Sequence, residues 1–130
     1  APARPARRVR GGLGSAKGAG MKYGNTRTTA NGEQYASKRE AMRHAELLLR
    51  QRAGEITGLA REVTFVLALG VRIEGEKRAR PALRYIADFV WSDVATGRVI
   101  VADAKGMQTP VYRLKKHLMK SVHGIDVVEL

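Results

Sequence analysis

Three charged residues, Asp88, Asp103 and Lys105, have the types and spacing that metal-assisted chemistry requires. Asp88 lies in a mainly apolar segment, where a carboxylate must be paired or metal-bound to offset the loss of its hydration. Asp103 and Lys105 are two residues apart, so their side chains share one face of an extended strand. Neighbouring carboxylates repel each other unless a cation lies between them. The pattern therefore predicts a divalent cation held by the two aspartates, with an ammonium group beside it.

Such a site would suit the hydrolysis of a phosphate ester. A cation bound by Asp88, Asp103 and the carbonyl oxygen of Ala104 would polarise the phosphate and acidify a bound water. Lys105 would orient or deprotonate that water, or neutralise charge that grows on the phosphate. An isolated D-x-K triplet usually means something else: a surface salt bridge between Asp103 and Lys105, with Asp88 capping a loop. The combination of an aspartate in an apolar strand, a turn, and D-x-K at the end of the next strand favours the metal site.

The available ligands restrict the choice of metal and of compartment. The chain has no cysteine, which removes thiolate metal sites and disulfides. A metal must then be held by oxygen atoms or by the three histidines, and oxygen donors favour Mg²⁺ or Mn²⁺ over structural zinc. We therefore expect Mg²⁺, or Mn²⁺, as the cofactor. A chain without disulfides also suits the reducing cytoplasm, which is the expected location.

Two strands would bring the aspartates together. Residues 83–91 alternate as a strand does, and residues 98–104 (RVIVADA) are rich in β-branched side chains. Residues 93–97 between them have the composition of a turn. The two segments should pair as an antiparallel hairpin, in which Asp88 and Asp103 become neighbours.

Other patterns complete the expected fold. Residues 38–53 are predicted to form a helix that ends at Gly54, and residues 63–69 (VTFVLAL) are predicted to form a buried strand. A second helix should begin at Thr109, with Pro110 in its first turn, and residues 125–130 should form a closing strand. The apolar faces assigned to the helices consist of Ala41, Ala45, Leu48 and Leu49 in the first, and Val111, Leu114, Leu118 and Val122 in the second. The order is helix, three strands, helix, strand, which predicts an α/β fold.

The composition predicts one domain preceded by a basic arm. With 130 residues, 44% of them hydrophobic, the chain can bury one modest core, which we assign to residues 21–130. Residues 1–20 combine five Arg and Lys with Ala, Pro and Gly, a composition typical of a disordered segment. This arm is either a solubilising tail or a source of additional phosphate contacts. No apolar run approaches the roughly 18 residues of a membrane-spanning helix, so no membrane partner is expected.

The spacing from Asp88 to Asp103-Ala104-Lys105 resembles the signature of the PD-(D/E)XK phosphodiesterase superfamily. More narrowly, residues 22–129 resemble a family of small nucleases encoded by bacteriophages and prophages. The segments that carry this resemblance are KYGNTRT, SKREA, GEI, YIADF, ADAKG and TPVYRLKKHL. Ala102 and the pair Glu62-Val63 depart from the pattern, in which Glu and Gln-Pro would be typical. The resemblance implies a restriction-endonuclease-like core, in which a mixed central sheet is flanked by helices.

The resemblance also implies that Glu40 joins the site from the first helix. There it would bind a second ion or that ion's water. Ser37 and Glu40 also form an S-x-x-E capping box, which by itself would account for a glutamate at this position. The two roles compete for one carboxylate, and the sequence leaves both open.

The charge of the chain points to a nucleic-acid partner. The net charge is +12, from 24 Lys and Arg against 12 Asp and Glu, which favours a polyanion. Cationic residues precede Asp88 and follow Lys105, so they bracket the predicted site. Those predicted to bind nucleic acid, with DNA favoured, are Arg78, Arg80, Arg84, Arg113, Lys115, Lys116 and Lys120. A solvated helix face is the alternative meaning of the charges in the second helix.

These features together predict a metal-dependent endonuclease that hydrolyses phosphodiester bonds in DNA. The resemblance implies branched DNA as a substrate and a homodimer as the assembly, because small phage enzymes of the superfamily include Holliday junction resolvases that work as symmetric dimers. The alternative is a non-enzymatic, basic nucleic-acid-binding protein whose acidic cluster is structural.

Overall fold

The computed structural model describes residues 27–30, 32–105 and 107–130. The predicted arm, residues 1–20, and the first residues of the predicted domain, 21–26, lie outside these ranges. The elements in chain order are β1 (Thr28–Ala30), β2 (Glu33–Tyr35), α1 (Lys38–Arg52), β3 (Ile56–Ala68), β4 (Leu83–Asp93), β5 (Val99–Asp103), α2 (Pro110–His123) and β6 (Val128–Glu129). From α1 onward this is the predicted order of helix, three strands, helix and strand.

The main sheet is mixed and has the strand order β3-β4-β5-β6. Strands β3, β4 and β5 are antiparallel neighbours, as the predicted hairpin requires, whereas β6 runs parallel to β5. Strands β1 and β2 form a separate antiparallel hairpin, which the sequence analysis did not predict. The dipeptide Asn31-Gly32 is a common hairpin-turn signal that could have revealed it. The α/β class is therefore confirmed, with one additional hairpin.

Helix α1 has the predicted ends but buries a different face. The Ser37 side chain accepts a hydrogen bond from the Glu40 backbone N–H at the start of the helix, and Gly54 takes the left-handed conformation after its end. The predicted apolar face is wrong, because the buried residues are Glu40, His44 and Leu47 while Leu49 is exposed. Two polar side chains can be buried here because each has a hydrogen-bond partner in a neighbouring element.

The ends of helix α2 were also predicted correctly, whereas the prediction of its buried face was wrong. Thr109 caps its start by accepting from the Tyr112 N–H, and Gly124 ends it in the left-handed conformation. Tyr112 and Met119 are buried, and Tyr112 can be buried because its hydroxyl donates to Glu129. Of the predicted apolar face, Val111, Leu114 and Val122 are exposed, and Leu118 is partly buried.

The two helices pack on opposite faces of the sheet. The cluster that includes Leu47 of α1 contains Trp91 and Ala102, whereas the cluster that includes α2 residues contains Val90 and Val101. Successive residues of a strand point to opposite faces, so each helix covers one side. Trp91 therefore belongs to the core. Neither helix in the described ranges is long and apolar enough to span a bilayer.

Strands β3 and β4 both change the face that they present to the helices near Asp88. Ala87 packs in the cluster that includes α2 residues and Phe89 in the one that includes Leu47, although residues two apart in a regular strand share a face. Pairing joins Arg61 to Phe89 and Val63 to Ala87, which leaves Glu62 opposite Asp88. Glu62 has a φ of 53°, a left-handed conformation that is uncommon for a residue with a side chain. The change of face is thus located at Glu62 and Asp88.

Candidate functional site

Asp88 and Asp103 lie side by side where β4 and β5 separate. The last ladder pair before this point joins Phe89 to Ala102. Beyond that pair, the Asp103 Oδ1 atom accepts from the Asp88 N–H at 3.0 Å, and the Asp88 Oδ2 atom accepts from the Ala104 N–H at 3.0 Å. Side-chain carboxylates therefore replace carbonyl groups as the acceptors for two backbone donors. The structure brings these two sequence-predicted residues together.

Asp103 is further held by a tyrosine that the sequence analysis missed. The Tyr85 hydroxyl donates to the Asp103 Oδ2 atom, and both residues are buried. Burial and the adjacent Asp103 carboxylate raise the pKa of the Tyr85 phenol, which keeps it in the donor form. The signal was present, because a tyrosine in an apolar strand needs a partner for its hydroxyl. Two donors thus fix the orientation of the Asp103 carboxylate.

The electrostatic environment disfavours the ionised form of Asp88. Burial, then the charge of Asp103 and then the charge of Glu40 raise the pKa of the Asp88 carboxyl to about 8. The hydrogen bond from the Ala104 N–H acts in the opposite direction but is outweighed. Negative charge is therefore concentrated here, and a bound cation would relieve the repulsion.

Glu40 approaches this pair from α1 but is engaged in other contacts. Its carboxylate is buried, its Oε1 atom accepts from the Ala36 N–H at 3.2 Å, and its Oε2 atom accepts from Arg61 at 3.2 Å. In a complete capping box, the carboxylate would accept from the N–H of the cap residue Ser37. Here it accepts one residue earlier, so only the Ser37 half of the box is formed.

Arg61 joins Glu40 to the hairpin of β1 and β2. Its guanidinium pairs with Glu33 at 2.7 Å and lies 4.0 Å from the centre of the Tyr35 ring. The Tyr35 hydroxyl is in turn 2.6 Å from the Nδ1 atom of His44, which is buried. Arg61 was not among the predicted site residues, although an arginine in a largely apolar strand indicates a buried carboxylate partner.

A cleft of about 620 Å³ lies beside the two aspartates. Its acidic residues are Asp88 and Asp103, and the exposed side chain of Lys105 lies on the same wall with its Nζ atom 5.0 Å from the centre of the Tyr112 ring. The apolar residues of the lining include Leu83, Ile86 and Val111, and its other cations are Arg84 and Lys115. The cleft thus has the volume of a small-molecule binding site. It combines carboxylate oxygens, which can bind a divalent cation, with positively charged side chains.

The cations predicted to bind nucleic acid divide into three groups. Arg84 and Lys115 line the cleft with Lys105. In contrast, Arg80 pairs with Glu76, Lys116 with Glu129 and Lys120 with Asp126. Arg78 and Arg113 are exposed and do not belong to the described lining. Only the first group is brought to the aspartates.

Among the residues described, no group of three or more His, Asp or Glu side chains is arranged to hold a metal ion. Asp88 and Asp103, however, both line the cleft, and burial together with the charge of Asp103 strongly disfavours the ionised form of Asp88. Hard divalent cations bind such oxygen donors together with water and substrate oxygens, so two protein carboxylates fit Mg²⁺ or Mn²⁺.

Comparison with known proteins identifies a family, but the description of that family gives no function. The model of a family described as a protein of unknown function (DUF1064) matches residues 20–126. No curated protein and no solved structure matches the chain. The function is therefore inferred from the geometry of the site.

Proposed function

This chain belongs to the DUF1064 family of proteins of unknown function, and we propose that it is a divalent-metal-dependent endonuclease that hydrolyses DNA phosphodiester bonds. The observation that supports this best is the contact between Asp88 and Asp103 at the wall of a cleft that also contains Lys105. Paired carboxylates followed by a lysine form a set of groups that binds a cation and stabilises negative charge on a phosphate.

Asp88 and Asp103 would hold the cation, with the Ala104 carbonyl oxygen as a further donor. A bound Mg²⁺ or Mn²⁺ would supply positive charge to a phosphate oxygen and a water that loses its proton more easily. The raised pKa of Asp88 supports this role, because a cation at the carboxylates would favour their ionised forms.

The remaining groups of the cleft would position the substrate. Tyr85 fixes the orientation of Asp103, so that one carboxylate geometry is presented to the ligand. Lys105 is exposed beside the aspartates, where its ammonium group would orient the attacking water and stabilise charge on the phosphate. Arg84 and Lys115 line the same cleft and would bind neighbouring phosphates.

The proposal includes membership of the PD-(D/E)XK superfamily and a preference for branched DNA. The element order from α1 to β6 and the D-x-K triplet at the end of β5 support the first part. The second part is supported by the exposed side chains of Leu83, Ile86 and Val111 in the cleft lining. Apolar side chains at such positions can insert between unstacked bases, which branched DNA offers. A symmetric homodimer is the assembly that we propose for this substrate.

A non-enzymatic nucleic-acid-binding protein is the second candidate. It is favoured by one observation: the oxygen atoms of Asp103 already accept from Tyr85 and from the Asp88 N–H, as a purely structural carboxylate would. Under this hypothesis the charge of the chain binds nucleic acid and the aspartates only secure the end of the hairpin.

A cleavage assay separates the two candidates. Four-way junction, linear duplex and single-stranded DNA are incubated with the chain in Mg²⁺, Mn²⁺ or chelator, alongside Asp88→Asn, Asp103→Asn and Lys105→Met. Asp126→Asn is the matched control, because Asp126 is exposed and pairs only with Lys120 among the ion pairs described. We expect metal-dependent cleavage that each site variant lowers at least 100-fold while DNA binding persists. Binding of all substrates without cleavage of any would favour the non-enzymatic protein.

A further inference from the structure

Glu40 is the third carboxylate near Asp88 and Asp103, and it forms an ion pair with Arg61. Both side chains are largely removed from solvent, with 17% of the Arg61 side chain and 3% of the Glu40 side chain exposed. The Nη2 atom of Arg61 lies 3.2 Å from the Oε2 atom of Glu40. Arginine remains protonated in proteins, so this positive charge is permanent.

Arg61 is held in this position by the β1–β2 hairpin as well as by Glu40. Its guanidinium also donates to the Glu33 carboxylate at 2.7 Å and to the Gln34 carbonyl oxygen at 3.2 Å, and it lies over the Tyr35 ring. Its Nε atom is buried without a hydrogen-bond partner in the described ranges, a cost that these ion pairs must offset. The contacts with three successive residues of β2 would all have to change if Arg61 were to leave Glu40.

A second divalent cation at Glu40 would have to compete with this guanidinium. Removing one partner of a buried ion pair is strongly unfavourable, because the other charge remains buried and uncompensated. Two cations on adjacent sides of one carboxylate would also repel each other. The Glu40 carboxylate is therefore already paired with a cation before any metal binds.

We propose that Arg61 is the permanent counter-ion of Glu40 and takes the place of a second metal ion, so that the site binds one divalent cation, on Asp88 and Asp103. This inference rests on the proposed metal-dependent function. Glu40 is then a positioning residue, which secures the start of α1 through the Ala36 N–H, and it is not a ligand.

The number of ions bound by the full chain tests this inference. Mn²⁺ alone is titrated by calorimetry and by electron paramagnetic resonance, in which two nearby Mn²⁺ ions give a coupled spectrum. We expect one Mn²⁺ per wild-type chain, none with Asp103→Asn, and two with Arg61→Gln, because the freed Glu40 carboxylate becomes available. The double variant with Glu40→Gln and Arg61→Gln should return to one ion, with a Kd within about threefold of the wild type.

The double variant also protects the test against misfolding, because two neutral amides can keep a hydrogen bond without a buried charge. Two ions on the wild type, one ion on a folded Arg61→Gln variant, or a Kd more than tenfold weaker in the double variant would each overturn the inference. No Mn²⁺ on the wild type would refute the metal site of the proposed function itself, which distinguishes the two failures.

Discussion

At the scale of single residues, Asp88 has the least favourable charge environment of the site. Its carboxyl group is partly buried, Asp103 lies against its backbone N–H, and Glu40 adds further negative potential. These effects raise its pKa to about 8. The folded chain therefore holds a proton on Asp88 at pH values where the unfolded chain has lost it, and stability must depend on pH.

Replacing Asp88 by Asn should stabilise the chain at alkaline pH in the absence of metal. The folded-state pKa is above the unfolded value near 4, so stability falls as pH rises from about 4 to about 8. Asn mimics the protonated carboxyl, and its oxygen can still accept from the Ala104 N–H. We expect Asp88→Asn to exceed the wild type by more than about 1 kcal/mol at pH 8, and by little at pH 4.

Urea unfolding in chelator at both pH values measures this difference. Asp126→Asn, at an exposed position, should show no gain that grows with pH. Equal pH dependence of Asp88→Asn and the wild type would contradict the environment described for Asp88.

The Tyr85 hydroxyl should contribute more to stability than an ordinary tyrosine hydroxyl. Tyr85→Phe leaves the buried Asp103 carboxylate with one donor fewer, and hydrogen bonds to charged groups contribute about 1.5–3 kcal/mol. Tyr112→Phe is the matched control, because its partner Glu129 retains Lys116 and Gln108. Urea unfolding at pH 7 should show the larger loss for Tyr85→Phe; a larger loss for Tyr112→Phe would contradict the assignment.

At the scale of elements, the change of face in β3 and β4 determines where the aspartates lie. A regular β4 would keep Ala87 and Phe89 on one face, but they pack on opposite faces with Asp88 between them. Glu62, across the ladder, accommodates this with a left-handed φ of 53°. A strained conformation near a candidate site is retained when the surrounding structure requires it.

Substitutions at Glu62 should reverse the usual preference of β-strands for valine over glycine. Valine is favoured over glycine in regular strands, but a β-branched side chain is strongly disfavoured at positive φ whereas glycine is not. We expect Glu62→Gly to be more stable than Glu62→Val by about 1–3 kcal/mol in thermal or urea unfolding. The same pair of substitutions at the partly buried Thr64, in the regular part of β3, should favour valine. A more stable Glu62→Val would show that the strand is regular in solution.

At the scale of the whole molecule, ion pairing divides the cations into those paired with carboxylates and those that line the cleft. The chain carries a net charge of +12, yet several cations are paired with carboxylates on the surface. Arg84 and Lys115 instead line the cleft beside Asp88 and Asp103. A polyanion drawn to the chain by its overall charge would therefore find these cations at the candidate site.

Removal of the cleft cations should weaken DNA binding in a salt-dependent manner. If each contacts one phosphate, Arg84→Ala and Lys115→Ala should each reduce the slope of log K against log salt by about 1 for duplex DNA. Arg80→Ala is the control, because Arg80 pairs with Glu76 through two hydrogen bonds and should change the slope less. Fluorescence anisotropy over a range of salt concentrations measures the slopes. A larger effect of Arg80→Ala would place the DNA elsewhere on the surface.

The sequence by itself determined the features that depend on neighbouring positions. Thr109 and Gly124 mark the ends of α2 because caps act within one helical turn. The contact between Asp88 and Asp103 was also predictable, because a short turn fixes which residues of a hairpin become neighbours. Strand β3 was predicted too short, since its first half lacks the continuous apolar run of its second half.

Only the tertiary structure decided which helix faces are buried and which charges of the site are paired. Glu40 is buried because Arg61, 21 positions away, compensates its charge, and Tyr112 is buried because Glu129, 17 positions away, accepts its hydroxyl. A pattern of apolar residues cannot register such partners, because it scores each residue by its own hydrophobicity. The free energy of burying a polar group depends on the group that it meets, and that partner is determined only when distant segments pack.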